Sequence, residues 1–347
     1  LGAEADVLPQ AVAYLRLYTL ASPFTAASFI FSAMLRCMGN TRTPLYFNAA
    51  ANGLNVLMNF LMIYPTRTVS LFGYHLLVPG AGLGAAGAAA ASAISLMVAG
   101  SAMLAVGIRQ GPRFRIHLRE CLRPQRDIIR QAVYLGLPSA VERATINLGQ
   151  IATTAMVASL GTVALAANQI ATTAEGLCYL PAYGISYAGV ALVGQSVGAG
   201  SRKEASAYGT MAAKLGFLFT TGTAAVLFLV APFLTGLFNS DGQVSLLAAQ
   251  MLRIVVFSEP FFALSIVCAA TLRGALDVRF PMVVSLASMW GVRIVLALIM
   301  VYGLQLGLAG VWLAMDIDLI VRGLLCALRW RSGRWAHICG LDGPASN

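Results

Sequence analysis

Nine long apolar stretches follow one another along this chain of 347 residues. A helix needs roughly 20 apolar residues to cross the hydrocarbon of a bilayer, and each stretch reaches that length. The stretches lie near residues 10–35, 44–64, 80–107, 131–158, 163–194, 208–236, 245–271, 280–302 and 306–329. Only 10% of the residues are charged, whereas a soluble domain carries about 25%. The sequence therefore predicts an all-α membrane protein with nine transmembrane helices, because in lipid the backbone must bond within its own helix.

Basic residues predict how these helices cross the membrane. Most of the 23 Lys and Arg residues fall in one set of alternate loops, and the opposite loops hold only Arg67. The positive-inside rule makes the first set cytoplasmic, which also places the C-terminus in the cytoplasm. The longest of these loops, 108–130, mixes arginines with apolar residues. This pattern favours a segment at an anionic membrane surface over a nucleic-acid-binding segment.

Part of the sequence recurs 237 residues later. Residues 35–45 match residues 272–282 (LR…RTPL against LR…RFPM), and Pro23 matches Pro260 at the same offset. The third and ninth spans match at an offset of 223, since the predicted loop 65–79 is longer than its counterpart. Six helices separate the matched elements, so both copies point the same way and form parallel repeats.

The repeat also predicts a domain organisation. The second copy has three helices before its repeated trio, so a complete arrangement has twelve helices in two parallel six-helix repeats. This chain is expected to lack the first three. We predict a partial N-terminal lobe of three helices (1–107), a basic cytoplasmic linker (108–130), a six-helix C-terminal lobe (131–335) and a C-terminal tail (336–347).

Three glutamates inside the spans are candidate cation-coupling residues: Glu142, Glu175 and Glu259. A carboxylate within a membrane is costly and normally faces a cavity, where it can carry a proton or bind Na⁺. Each has a structural alternative. Glu142 could form an ion pair with Arg143 or another basic group, and Glu175 a hydrogen bond that fixes packing. Glu259 could lie at the outer interface.

Other polar residues and three prolines complete the candidate site. Amide side chains on the fourth and fifth spans could line a substrate cavity or ligate Na⁺, or could join helices; they are Asn147, Gln150, Asn168 and Gln169. Prolines within spans predict kinks and bending points; they are Pro23, Pro181 and Pro260. On the last span, Asp318 and Arg322 predict a local ion pair, and Arg293 is the predicted partner of Asp316 or Glu259.

Six short motifs occur in order along the chain. They are Tyr14-Leu15-Arg16 with Pro23, Gly39-Asn40-Thr41-Arg42-Thr43-Pro44, Gly136-Leu137-Pro138 with Glu142, Ala167-Asn168-Gln169-Ile170, Leu192-Val193-Gly194-Gln195 and Leu272-Arg273-Gly274. Over residues 10–330 the chain resembles the multidrug and toxic compound extrusion (MATE) transporters. The resemblance implies a twelve-helix antiporter with two lobes around a central cavity, exporting amphipathic, often cationic, drugs in exchange for Na⁺ or H⁺. It places Glu142 at an acidic position of sodium-coupled members, whereas their acid on the seventh span falls at Phe262 here.

The sequence therefore predicts a secondary multidrug exporter, multi-pass in the cell (inner or plasma) membrane, in which the two lobes rock. The alternative is a lipid-linked oligosaccharide flippase of the same superfamily, which would hold a pyrophosphate with cationic side chains. The acids in the spans favour cationic drugs as partners. No HExxH motif or nucleophile elbow is present, so we expect no enzymatic activity. Scattered cysteines without a CxxC pair predict no bound metal, and no cofactor beyond the coupling ion is expected.

Overall fold

Helices occupy all nine predicted spans in the computed structural model, which describes residues 8–71, 74–109, 125–239 and 241–341. The chain divides into two units, Leu1–Pro124 and Gln125–Asn347. The first unit contains α1 (Leu8–Leu20), α2 (Ser22–Cys37), α3 (Arg42–Met62) and α4 (Gly84–Arg109). The second contains α5 (Arg126–Ala158), α6 (Thr162–Gly198), α7 (Arg202–Phe238), α8 (Gly242–Val255), α9 (Glu259–Gly274), α10 (Arg279–Gly303), α11 (Gly307–Arg331) and α12 (Trp335–Ile338).

Length and composition allow several of these helices to cross a membrane. Among the described residues, α6, α7, α10 and the Gly84–Val106 part of α4 are each long and apolar enough alone. Two further spans are bent pairs, α1 with α2 at 47° and α8 with α9 at 59°. The remaining helices α3, α5 and α11 occupy predicted spans but are more polar, and α5 and α11 carry the charged residues of the candidate site. The predicted all-α membrane fold is confirmed.

The predicted loop 65–79 is wrong in detail, because the chain forms a β-hairpin there. Strand β1 (Pro65–Leu71) pairs antiparallel with β2 (Tyr74–Ala81), and Thr68 lies opposite Leu77. The β-branched residues Thr66, Thr68 and Val69 favour extended backbone. The third span consequently begins at Gly84 rather than near residue 80.

Both bent spans break in the same way. Pro23 and Pro260 each occupy the second position of the helix that follows the break. Proline is tolerated there because the first turn of a helix has no intrahelical acceptor for its N–H. Two of the three predicted proline positions therefore mark real bends. Pro181 instead lies inside α6, which runs unbroken through it.

The helix ends of the two repeats also share a turn. The Asn40 N–H donates to the Leu35 carbonyl at 2.9 Å, and the Asp277 N–H donates to the Leu272 carbonyl at 2.9 Å. Both turns end their helix with a left-handed residue, a common way to satisfy the last carbonyl groups. In the first copy this residue is Gly39, with φ of 83°, and in the second it is Leu276, with φ of 63°.

A close contact between two helices occurs in both repeats, and its two glycines are 223 residues apart in sequence. A Cβ atom added to Gly100 of α4 would overlap the carbonyl oxygen of Phe24 in α2. A Cβ atom added to Gly323 of α11 would overlap the carbonyl oxygen of Phe261 in α9. Small residues that let two backbones approach are typical of membrane helix interfaces. Both repeats thus use a glycine at the same place for the same contact.

The predicted domain limits differ slightly from the helix bounds. α4 continues to Arg109 and α5 begins at Arg126, and the rest of the predicted linker, 110–124, lies outside the described residues. The predicted tail begins inside α12. There the buried Trp335 ring stacks on Trp330, with 4.8 Å between ring centroids. Helix α12 thus packs against the end of α11.

Candidate cation and substrate site of the C-terminal unit

Two adjoining cavities lie inside the C-terminal unit. We call them the Glu175 cavity, of about 140 Å³, and the Glu142 cavity, of about 390 Å³, after the acid that lines each one. Both are lined by Arg143, Tyr183 and Arg322. The walls come from α5, α6, α9, α10 and α11, so a polar path runs between the helices of this one unit.

Glu142 is held in an ion pair. Arg273 Nη2 donates to Glu142 Oε2 at 2.7 Å, and Ser285 Oγ donates to Glu142 Oε1 at 3.0 Å. The Glu142 side chain is 8% exposed, while Arg273 remains 33% exposed. The structural alternative for Glu142 is therefore present, with Arg273 as the partner. Arg143 points its side chain into both cavities instead.

Glu175 lines the smaller cavity together with amide side chains. It is buried, and the described residues place no hydrogen-bond donor on its carboxylate. Asn168 and Gln150 line the same cavity, and Trp312 Nε1 donates to Asn168 Oδ1 at 3.1 Å. This bond turns the amide nitrogen of Asn168 away from Trp312. The hydrogen bond across helices that would merely fix Glu175 is not seen within the described ranges.

The other two predicted amides are placed differently. Asn147 and Gln169 are exposed on the C-terminal unit and line neither cavity. On a helix each residue turns about 100° from the last, so neighbours such as Asn168 and Gln169 face different sides. The structure thus brings together half of the predicted amide set.

Glu259 is completely buried, at 0% exposure, so its side chain faces the protein interior. It begins α9 directly after the bend, and neither carboxylate oxygen has a hydrogen bond from the residues that the structure describes. The Cys178 thiol, Glu175 and Asp316 all lie within electrostatic range of it. The Cys178 thiol is a weak donor near this carboxylate. Burial of the carboxylate is therefore costly, and this position needs a compensating positive charge or a proton.

Ser258 ties the bend to the last span. Its Oγ donates to Asp316 Oδ1 at 2.7 Å, and both residues are buried. The bend in α8–α9 therefore places Ser258, Glu259 and Asp316 beside one another. Sequence reasoning missed Ser258, although a serine directly before Glu-Pro is a recognisable helix-start signal.

Asp318 is shared by two arginines. Arg322 Nη2 lies 2.6 Å from Asp318 Oδ2 and 2.9 Å from Oδ1, which confirms the predicted local pair. Arg293 Nη1 lies 4.0 Å from the same Oδ2. Of its two predicted partners, Asp316 lies within electrostatic range of Arg293, without an ion pair at this distance. Ser288 Oγ also donates to Asp318 Oδ1.

A π-helical stretch of α10, Ser288–Ile294, carries two of these partners. In a regular α-helix, Ser288 and Arg293 would point about 140° apart. Hydrogen bonding from i to i+5 brings residues five apart closer to one face, and such stretches often occur at functional sites. The π-helical turn therefore lets both side chains reach Asp318.

Comparison with known proteins identifies the family. The family model described as MatE matches residues 1–61 and 138–299, more than half of the chain. The chain belongs to the MATE family. It is 30% identical over 337 residues to the probable multidrug resistance protein NorM of Thermotoga maritima, covering 96% of this chain and 69% of that protein. It is 27% identical to the uncharacterised transporter YisQ of Bacillus subtilis, covering 96% of this chain and 71% of that protein.

Solved structures share the fold. One is an outward-facing multidrug resistance MATE transporter, with a TM-score of 0.84 and 20% identity over 97% of this chain and 72% of that one. Another is a transporter of the same superfamily from Pyrococcus furiosus, with a TM-score of 0.85 and 19% identity over 99% and 73%. The internal repeat and the bent helices described above are therefore features of a MATE-type membrane protein.

Within this MATE chain, the buried charges leave an acidic surplus around the bend. Arg322 is committed to Asp318, and Arg293 is the other arginine close to the remaining carboxylates of Glu175 and Asp316. With Glu259 added, the acids outnumber the nearby arginines. Among the described residues no three His, Cys, Asp or Glu side chains are arranged to chelate a metal ion. Such a cluster suits one small cation that shares its ligands with water or a backbone carbonyl, or a proton.

Proposed function

We propose that the protein is a secondary active exporter that exchanges amphipathic, cationic drugs for Na⁺ or H⁺. Its membership of the MATE family and the printed name of its Thermotoga maritima relative, a probable multidrug resistance protein, support the drug-export half of this proposal. The buried carboxylates of the C-terminal unit support the exchange half. The expected orientation has the C-terminus in the cytoplasm of a cell whose plasma membrane holds the protein.

The observation that carries the proposal is the unpartnered Glu259 at the bend between α8 and α9. Broken membrane helices expose backbone groups and commonly hold the coupling ion of secondary transporters. A cation entering here would offset one negative charge of the group formed by Glu259, Glu175 and Asp316. Its departure would leave them mutually repelling. We therefore expect the angle of this bend to differ between the cation-bound and cation-free states. A cation that binds one state more tightly shifts a two-state transporter towards that state.

Glu142 has a different proposed part. Its charge is already balanced by Arg273 at the far end of α9. An ion pair that joins α5 to α9 opens more readily when another cation competes with Arg273 for Glu142. We assign Glu142 to this gating contact, which is separate from the group formed by Glu175, Glu259 and Asp316.

The Glu175 cavity is the proposed contact surface for the drug within this unit. Its acid suits a cationic nitrogen, its amides Asn168 and Gln150 offer hydrogen bonds, and Trp312 offers an aromatic face. The flippase alternative needs arginines free to hold a pyrophosphate. Arg143, Arg293 and Arg322 all line this cavity. Arg293 and Arg322 share Asp318, so Arg143 is the cation on which the flippase alternative rests, and Glu175 is the acid that favours cationic cargo.

Dye export from proteoliposomes tests the proposal. The purified protein would be reconstituted with an internal cationic dye, and Na⁺ or H⁺ gradients would be imposed separately. We expect dye movement that follows one gradient and stops when an ionophore dissipates it. Glu204 is an exposed acid at the start of α7, so E204Q serves as a control that should leave export unchanged. Dye movement that ignores both gradients would rule out an antiporter.

A further inference from the structure

The chain contains only two lysines among its 23 basic residues, and both lie on α7. Lys203 and Lys214 are eleven residues apart. At 100° per residue this is three turns plus about 20°, so the two side chains leave the helix on the same face. Both are exposed, and the described residues offer neither of them an ion pair.

A groove on this face joins the two lysines. Its volume is about 520 Å³, and its lining pairs hydroxyl groups with long apolar side chains; the residues between the lysines and just beyond are Ser206, Ala207, Thr210, Met211, Leu215 and Leu218. Thr210 Oγ accepts a hydrogen bond from Trp330 Nε1 at 3.2 Å. The hydroxyl proton of Thr210 therefore remains available to donate into the groove. Glu204 follows Lys203 in sequence but does not line the groove.

The position of Lys214 along α7 places its backbone within the hydrocarbon. The helix has 37 residues, which is about 55 Å at 1.5 Å per residue, against about 30 Å of hydrocarbon. When α7 is centred, about eight residues at each end lie outside. Lys214, the thirteenth residue, then lies roughly 7 Å inside. Its side chain leans towards the helix start, as helical side chains do, and carries the ammonium group up to the level of Thr210.

An ammonium group at the boundary of the hydrocarbon lies at the level of the lipid phosphates and attracts an anionic headgroup. The acid-free groove supplies no anion of its own. The groove is shallow, open and lined by α7 alone. Below the lysine, Met211, Leu215 and Leu218 continue it as an apolar strip along which a hydrocarbon chain can lie. The ammonium and hydroxyl groups lie at the end of the groove near the membrane surface and suit a phospholipid headgroup. The apolar side chains lie deeper in the membrane and suit an acyl chain.

We propose that this groove binds one anionic phospholipid from the leaflet in which α7 begins. The Lys214 ammonium and the Thr210 hydroxyl hold the lipid phosphate. Lys203, nearer the membrane surface, attracts the anionic headgroup. An acyl chain lies along Leu215 and Leu218. This site is separate from the cavities of the proposed transport cycle and does not depend on the protein being an exporter.

Native mass spectrometry of the detergent-purified protein tests the site. Phosphatidylglycerol would be titrated against phosphatidylcholine of the same acyl chains, and the affinity for the first bound lipid would be measured. Each lysine near a lipid surface contributes roughly 1 kcal/mol, or about fivefold in affinity. We therefore expect K214Q and K203Q each to lower phosphatidylglycerol affinity about fivefold, and K214R to retain it.

A matched control comes from α11. Arg331 is an exposed cation next to Trp330, which packs on α7 beside Thr210, and it does not line the groove. R331Q should leave the affinity unchanged. Thermal unfolding without added lipid should be equal in all variants, which would exclude a folding defect as the cause.

Three results would overturn the proposal. A loss in R331Q equal to that in K214Q would show a diffuse surface charge in place of a site. Displacement of the lipid by excess inorganic phosphate would show that the apolar strip contributes nothing and that the site binds free phosphate. Unchanged binding in K214Q would also reject it.

Discussion

Replacing Asp318 by Asn should destabilise the C-terminal unit more than removing either of its arginines. Asp318 is completely buried and sits 2.6 Å from Arg322 Nη2 and 4.0 Å from Arg293 Nη1. D318N leaves two buried guanidinium groups without their shared anion. R322M leaves one buried carboxylate that Arg293 can still approach. R293M removes the more distant contact with Asp318 and also the positive charge near Glu175 and Asp316.

The geometry sets the expected order of free energies. Breaking a buried ion pair by removing one partner costs about 3–5 kcal/mol, so D318N should cost about 4 kcal/mol. R322M should cost about 2 kcal/mol, because the second arginine partly compensates. R293M should cost about 2 kcal/mol, because the contact with Asp318 exceeds hydrogen-bond distance but the buried Glu175 and Asp316 also lose a nearby positive charge.

Denaturant unfolding in mixed detergent micelles, followed by tryptophan fluorescence, would measure these costs. The exposed Arg253 of α8 offers a control, since R253M should change stability by less than about 0.5 kcal/mol. If R322M proves as destabilising as D318N, the idea of one aspartate shared by two arginines is refuted.

Three further predictions concern a helix contact, a helix-ending turn and a buried hydrogen bond. G323A and G100A should each destabilise by about 1–3 kcal/mol because the added methyl group meets a backbone carbonyl, whereas G184A, which meets open space, should not; thermal unfolding in detergent distinguishes them. L276G should raise the unfolding temperature by relieving a left-handed backbone worth about 1 kcal/mol, and a fall would contradict the shared-turn argument. S258A should cost about 1–3 kcal/mol by removing a buried donor from its carboxylate partner, and equal stability would show that the hydrogen bond is unimportant.

Local signals in the sequence were sufficient for the helices and their bends. Length and apolar content located the spans, and the offset between Pro23 and Pro260 located two helix breaks that the structure contains. The hairpin at 65–81 was missed because a search for apolar periods does not examine short β-branched runs between spans. Pro181 shows the limit of proline rules, since α6 continues through it.

Partners distant in sequence could not be predicted. Glu142 and Arg273 are 131 positions apart, and only the packing of α5 on α9 decides that they meet. The sharing of Asp318 depends on a π-helical turn, and a one-residue widening of a helix leaves no clear mark in composition. Residues four apart on one helix, such as Asp318 and Arg322, are the exception, because helix geometry alone brings them together.

Drug export by the E259Q variant tests the central claim most directly. Wild type and E259Q would be reconstituted side by side, with dye binding measured at equilibrium and dye export measured under the gradient that drives the wild type. The account predicts that E259Q still binds dye but no longer responds to the gradient, since Gln cannot exchange a proton or neutralise a cation. Gradient-driven export by E259Q at the wild-type rate would contradict it.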